Sequence, residues 1–268
     1  MLGATGVLGS SIVKHLNISN DKIISHNTYL NWIHTPNKDQ ILRDLKKHDL
    51  SKVDIFVAAG ITDPRIDSNL LWGLNYKLPR NLIGATANSG TRVITFGTIH
   101  ESFTINNEYF ASKRALGDYI GNIGSFGAVR HFLLHTLYSD NPPPEHMFLG
   151  HIFKAIKTGS DLNMSPGKQL REFHHVDDIA QAVIKLLLER ESKMQDVSAG
   201  NGIQIRVIAR EIFSIFGVLN NLHLGVLPSP AGDNFERVFS TSKGLVASDF
   251  RNPVSEIPRI FKKLISPN

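Results

Sequence analysis

Gly3-Ala4-Thr5-Gly6-Val7-Leu8-Gly9, followed at once by Ser10-Ser11-Ile12-Val13-Lys14-His15-Leu16, reads as a tight glycine turn feeding an amphipathic helix. Glycine supplies positive φ angles and a bare backbone that a phosphate can approach. The helix N-terminus adds unpaired N–H groups and the positive end of a dipole. The stretch therefore reads as a pyrophosphate cradle, placed where the dinucleotide-binding unit of an α/β chain begins; a plain helix-capping turn is the alternative. A branched side chain at Gly6 is expected to collide with the pyrophosphate and to need a backbone angle that valine tolerates poorly. The strand ahead of the turn is reduced to Met1-Leu2, whereas a buried parallel strand runs about five residues. Either the sequence starts inside the native strand or the strand is unusually short.

The totals narrow the function classes. With 268 residues, 41% apolar and 20% charged, the chain can build a large core in one domain or two, and disorder is excluded. No run approaches the roughly 20 apolar residues of a membrane helix, and the N-terminus lacks a signal-peptide layout. Zero cysteines excludes disulfides and thiolate chemistry, so a cytoplasmic setting is expected. The net charge of +5 is spread without a basic block, which argues against nucleic acid and suits an anionic small ligand. Among the histidines, His174 and His175 lie near Asp177, but neighbours on an extended segment point to opposite faces, so no metal is expected.

Downstream, Lys22 to His26 reads as a short buried strand. Its end carries Ser25, His26, Asn27 and Thr28 in place of the carboxylate that would hold two ribose hydroxyls, which favours NADP and leaves NAD open. A helix over Asp39 to His48 leads into a strand from Val53 that ends in Ala58-Ala59-Gly60, small residues against which a flat cofactor can lie. Leu70, Leu71, Leu74, Leu78, Leu82 and Ile83 predict a helix from about Asn69 to Asn88. Arg92 to Phe96 is a strand ending in Gly97-Thr98. This alternation predicts an α/β fold with a doubly wound parallel sheet and chemistry at the carboxyl ends of its strands.

Glu108 to Leu116 opens a further helix, on which Tyr109 and Lys113, four apart, share one face. At about 4 Å and an effective dielectric near 20, their attraction is about 4 kcal/mol, or roughly three pKa units, bringing the phenol toward neutrality where proton transfer is efficient. Beyond it, Gly127 to Leu134 is a late strand, and Asn141-Pro142-Pro143-Pro144 breaks regular structure. Helices follow over His146 to Thr158 and His175 to Arg190, the latter capped by Asp177 or Asp178, with a short strand and turn over Asn163 to Gly167.

A glycine turn at the start, a strand ending in Gly97-Thr98 and a Tyr109-x-x-Ser112-Lys113 helix, in that order, resemble the short-chain dehydrogenase/reductases. Asn75, Leu137-Tyr138, the run Arg171 to Ala180, Ser198 to Gly202 and Thr241-Ser242-Lys243 are similar to the extended, nucleotide-sugar-modifying branch, the epimerase/dehydratase family. The resemblance implies a Rossmann-type dinucleotide domain (1–137 and 173–197) and a smaller α/β substrate lobe (138–172 and 198–268), with a homodimer as the assembly. It implies Tyr109, Lys113 and Thr98 as catalytic residues. Gly3, Thr5, Gly6, Val7, Leu8, Gly9, Ala58, Ala59, Gly60 and Lys113 would bind the cofactor; Arg171, on the diphosphate, and His100 would bind substrate. Thr98 precedes Tyr109 by only eleven residues, so a substrate-facing loop is shorter than in the branch or residues are absent. Dehydratases follow the threonine with an Asp-Glu pair, whereas Ile99-His100 stand here, which disfavours dehydration. The implied reaction is reduction of a 4-keto-6-deoxy nucleotide sugar, with a 4-epimerase retaining its NAD and a non-catalytic dinucleotide sensor as alternatives. The loops Ser139 to His151 and Ser229 to Val238 would carry base and sugar identity.

Overall fold

The structure, a computed structural model, describes residues 1–34, 38–102, 107–123, 128–189, 193–229 and 239–266. Gly127 and Arg190, expected at the ends of a strand and a helix, lie outside the described residues, as do positions 230–238 of the second specificity loop. The chain divides into two compact units, Met1–Leu134 with Ala180–Val197, and His135–Ile179 with Ser198–Asn268.

In the first unit, α1 (Val7–Leu16), α2 (His26–His34) and α3 (Lys38–Leu45) precede strand β1 (Asp54–Val57). Helix α4 (Ser68–Trp72), a π-helical turn (Gly73–Lys77) and α5 (Leu78–Thr86) lead to β2 (Arg92–Thr98), and α6 (Glu108–Asn122) leads to β3 (Ala128–Leu134). The chain then forms β4 (Thr136–Tyr138), α7 (Phe148–Thr158), β5 (Leu162–Met164), β6 (Leu170–Arg171), β7 (Phe173–His175) and α8 (Val176–Leu188). Strand β8 (Met194–Asp196) rejoins the first sheet, and β9 (Ile203–Gln204), α9 (Ile205–Ile215), β10 (Leu222–Leu224) and α10 (Pro253–Ile265) follow.

The first sheet runs β1-β2-β3-β8 with every pair parallel, as the strand–helix alternation requires. Leu2 extends it by a parallel bridge to Val57, donating its N–H to the Phe56 carbonyl at 2.9 Å and accepting from Ala58 at 3.0 Å. Met1-Leu2 thus fills the slot of a first strand. The strand expected over Lys22 to His26 does not form: a 3₁₀ turn ends at Lys22 and α2 begins at His26, while two bonds join the segment to Met1, whose ammonium donates to the Lys22 carbonyl at 2.8 Å and whose carbonyl accepts the Ile24 N–H at 2.9 Å. The turn and the helix on either side leave only Ile23 to Ser25 between them, too short for a strand of ordinary length. Ser25 turns to the helix instead, its Oγ accepting the Thr28 N–H at 3.2 Å in the manner of an N-cap.

Leu71, Leu74, Leu78 and Leu82, spaced three and four apart, are all buried, while Leu70 is exposed; Leu74, Leu78 and Leu82 join Leu2, Trp32, Ile41, Val93 and Ile120 in the first core. The helix they belong to is not continuous, because the π-helical turn interrupts it. The second unit has its own core, with Ile152, Phe173, Ile208, Phe213, Ile257 and Phe261. Its strands pair β5 with β10, β4 with β7 and β6 with β9. Helix α8 starts at Val176, so Asp177 and Asp178 lie inside its first turn and not at the cap position: the His175 Nδ1 accepts the Asp177 N–H at 3.2 Å, and the Asp178 carboxylate receives the Arg251 N–H at 2.9 Å and lies 3.3 Å from its Nε. Asp178 instead binds a chain segment far away in sequence. No helix among the described residues is long and apolar enough to cross a membrane.

Candidate active site

The glycine turn meets the carboxyl end of β1. Gly3 has φ +75°, and a Cβ on it would stand 2.6 Å from the Ala58 carbonyl carbon, so only glycine fits this contact. A Cβ on Gly9 would lie 2.8 Å from the Gly3 carbonyl carbon, so the first turn of α1 also packs directly on the loop. Gly6 differs. Its φ of −71° and ψ of 164° are extended backbone that valine adopts without strain, which corrects the expected angular constraint at this position. A Cβ there would meet nothing closer than the Gly3 carbonyl oxygen at 3.5 Å. The space above Gly6 is open, and no side chain caps α1, so its first N–H groups are available to an anion. These residues fit the pyrophosphate of a dinucleotide.

Gly6→Val should fold with unchanged melting temperature yet bind a nicotinamide dinucleotide about 10- to 100-fold more weakly, the worth of one or two charged hydrogen bonds. Calorimetric titration checks it, and unchanged affinity would reduce residues 3 to 9 to a turn.

Beyond Ala58 and Ala59, the loop after β1 is held by Asn75. Its Oδ1 accepts the Ile61 N–H at 2.9 Å, and its Nδ2 donates to the Ile61 carbonyl at 2.9 Å and to Ser112 Oγ at 3.1 Å. Asn75 is buried and sits in the π-helical turn, a helix defect that frequently marks functional sites. Ser112 in turn donates to the Tyr109 carbonyl at 2.8 Å. One amide thereby ties the end of β1 to the helix that carries Tyr109 and Lys113.

Helix α6 starts at Glu108 because Asn107 caps it, its Oδ1 accepting the Tyr109 N–H at 2.8 Å. Tyr109 and Lys113 fall on one face, as their spacing predicts. Lys113 Nζ donates to the Phe96 carbonyl at 2.8 Å, and a Cβ on Gly60 would stand 3.6 Å from it, so the ammonium lies between the carboxyl ends of β1 and β2. Thr98, buried at the end of β2, accepts the His100 N–H on its Oγ1 at 3.3 Å. The expected electrostatics are corrected. Burial pushes the Tyr109 phenol above its ordinary range, and the Glu101 carboxylate pushes it further the same way. Burial also lowers the Lys113 ammonium to about 8, with Glu101 opposing that fall. A solvated pair would shift by mutual attraction; here desolvation dominates for both groups, and the Lys113 ammonium donates to the Phe96 carbonyl.

Arg171 lies in the second unit, half-buried on β6 opposite Ile203, with Nη1 donating to the Leu170 carbonyl at 2.8 Å. The adjacent Glu172 is fully engaged elsewhere, with Ser198, the backbone of Ala199 and Asn201, and His174. His100 is half-buried, its ring centroid 5.3 Å from that of Phe110. His174 and His175 find different partners, Glu172 at 3.0 Å and Asp140 at 3.5 Å. Sequence reasoning missed two buried residues, Glu101, which accepts the Thr98 N–H, and His131 beside it. The available signal was Gly117, four residues past Lys113 on the same helical face, where a missing side chain leaves room for another group.

The sequence profile of the NAD dependent epimerase/dehydratase family matches residues 1–200. A sequence search of curated proteins finds no match. Among solved structures, the UDP-glucose 4-epimerase of Thermotoga maritima with UDP-glucose is similar at a TM-score of 0.74 and 13% identity, over 99% of this chain and 98% of that one. The dTDP-glucose 4,6-dehydratase of Bacillus anthracis in complex with NAD matches at 0.72 and 12% identity, over 98% and 95%. RMD from Pseudomonas aeruginosa complexed with NADPH matches at 0.74 and 16% identity, over 100% and 98%. At such identities the structural likeness speaks for the fold, a Rossmann-type parallel sheet. The profile match takes in the glycine cradle, the small-residue end of β1, and the helix of Tyr109 and Lys113; spanning most of the chain, it shows that this protein belongs to the NAD dependent epimerase/dehydratase family.

Proposed function

We propose that this protein is an NAD(P)-dependent oxidoreductase acting on a nucleotide-activated sugar, reducing a 4-keto-6-deoxy sugar nucleotide. The observation that carries the reading is the half-buried Lys113 ammonium between the ends of β1 and β2, on the helical face of Tyr109. A bound reduced nicotinamide supplies the hydride to the keto carbon. As the carbonyl pair moves onto oxygen, Tyr109 gives that oxygen its proton and Thr98 Oγ1 donates a hydrogen bond to it; the phenolate regains a proton from solvent. The raised pKa keeps the phenol protonated at neutral pH, so a proton is in place to be given, while its transfer is harder than from a phenol poised near the working pH. Lys113 holds the nicotinamide ribose and lowers the cost of the phenolate. The turn from Gly3 to Gly9, with Thr5, Val7 and Leu8, holds the pyrophosphate; Ala58, Ala59 and Gly60 leave room for the flat parts of the cofactor.

Arg171 is read as the diphosphate contact, since a guanidinium fork gives two parallel bonds to phosphate oxygens, and His100 as a second substrate contact. The Ser25 and Thr28 hydroxyls, 2.7 Å apart at the start of α2, support NADP at the ribose end. The UDP-glucose and NADPH bound in two of the similar structures support the substrate and cofactor classes. A homodimer and a cytoplasmic setting complete the reading, carried by the family resemblance and the cysteine-free composition.

The test mixes the protein with NADPH, or NADH, and a panel of 4-keto nucleotide sugars and follows the reduced-nicotinamide absorbance. Stoichiometric loss of the band, faster with NADPH, is expected. Isomerised product from an unoxidised nucleotide sugar with no net loss would replace the reading with an epimerase, and binding without turnover would replace it with a sensor.

A further inference from the structure

Glu101 is a buried acid that the proposed chemistry does not use. It sits in the 3₁₀ turn after β2, and its Oε1 accepts the Thr98 N–H at 2.9 Å. Two glycines hollow a niche for its carboxylate. A Cβ on Gly97 would overlap Oε1 and stand 2.9 Å from His131 Cε1, and a Cβ on Gly117 would overlap Oε2. His131, fully buried on β3, places Nε2 3.5 Å from Oε1 and shares a 2.7 Å hydrogen bond between Nδ1 and Thr95 Oγ1. From α6, Arg114 Nε donates to the Glu101 carbonyl at 2.6 Å and fixes the turn. Tyr109, Lys113 and Gly117 recur every four residues, so the carboxylate meets α6 on the face of the other two, about 6 Å along the axis from Lys113.

We propose that Glu101 is a positioning residue for this site, its carboxylate serving as the counter-charge that keeps the half-buried Lys113 ammonium protonated while tying the Thr98 backbone to the same face of α6. The assignment rests on the reading of Tyr109 and Lys113 as the proton-transfer pair. The direction of both perturbations agrees with it, since Glu101 raises Lys113 and Tyr109 alike. The described titratable and charged groups around the carboxylate are His131 from β3, His100 from its own turn, and Tyr109, Lys113 and Arg114 from α6.

The test reads Lys113 directly. Competitive acylation of the full-length protein across pH, with the Lys113 peptide quantified by mass spectrometry, gives its titration midpoint without cofactor or sugar. The wild type should titrate near 8. Glu101→Gln keeps the volume and an acceptor for the Thr98 N–H but removes the charge, and should lower the midpoint by about one to two pH units. Glu101→Asp keeps the charge and should recover at least half of that fall. If the glutamine variant does not fold, Gly117→Ala serves, because its methyl group evicts the carboxylate and should lower the midpoint in the same direction. An unmoved midpoint in either folded variant overturns the proposal. Turnover separates this from the parent reading: the alkaline limb of kcat/KM should move down with the midpoint in Glu101→Gln. A moved midpoint with an unmoved limb overturns the catalytic reading of Lys113 and upholds the counter-charge.

Discussion

Tyr109→Phe is expected to cut turnover by about 10²- to 10⁴-fold, the usual worth of a positioned general acid. The substitution removes one oxygen. The helix start is secured by Asn107 on the Tyr109 backbone N–H, and the Tyr109 ring packs beside Phe110 at 5.2 Å between centroids, so neither support depends on the hydroxyl. Fold and dinucleotide affinity should therefore stay within a few-fold of wild type while kcat collapses, the pattern of an interaction made in the transition state. Steady-state kinetics paired with calorimetric cofactor titration reads both quantities. Full activity in the variant would remove Tyr109 from the chemistry.

The second large effect is on stability. Glu172→Gln should destabilise the second unit by about 3 to 5 kcal/mol at pH 7, as the loss of one partner of a buried charged network does. The Glu172 carboxylate is 1% exposed and accepts from Ser198 Oγ at 2.9 Å, the Ala199 N–H at 3.0 Å and the Asn201 N–H at 2.6 Å, with His174 Nε2 at 3.0 Å. Glutamine would turn one acceptor oxygen into a donor facing donors. Burial by itself disfavours the charge, but the His174 hydrogen bond, the His135 and His174 charges and the Ser198 hydroxyl outweigh it and hold the carboxyl at about 2. Because the folded pKa is depressed, the stabilisation is fully present above the unfolded value of 4.5 and is lost as pH falls toward 2. Its size from the two values is about 3 kcal/mol, in line with the mutational figure. Urea melts of both proteins at pH 7 and near pH 2.5 should show the difference shrinking in acid. A constant difference would assign the effect to packing.

Glu172 also shows why parts of the site escaped the sequence. Nothing near Arg171-Glu172-Phe173 marks the acid as a hub, because its partners lie 26 to 29 residues away on the 198–201 loop. Glu101 is hidden in the same way, since its niche needs a glycine from β2, a glycine from α6 and a histidine from β3. Asn75 could be picked out by resemblance, yet its hold on Ile61 and Ser112 depends on a π-helical turn that no spacing rule foretells.

By itself, the sequence determined what near neighbours settle. Glycines within six residues make the turn, apolar residues three and four apart make the helices, and a four-residue spacing puts Tyr109 and Lys113 on one face. Alternation of such segments then leads to a parallel sheet. Tertiary structure decided whether Lys22 to His26 paired as a strand, which glycine needed its angle, what capped α8, and above all the sign of the Tyr109 shift. The physical reason is range: dihedral preference and helical period act over a few residues and can be read in order. Desolvation, counter-charge and edge pairing depend on groups that only the folded chain brings together.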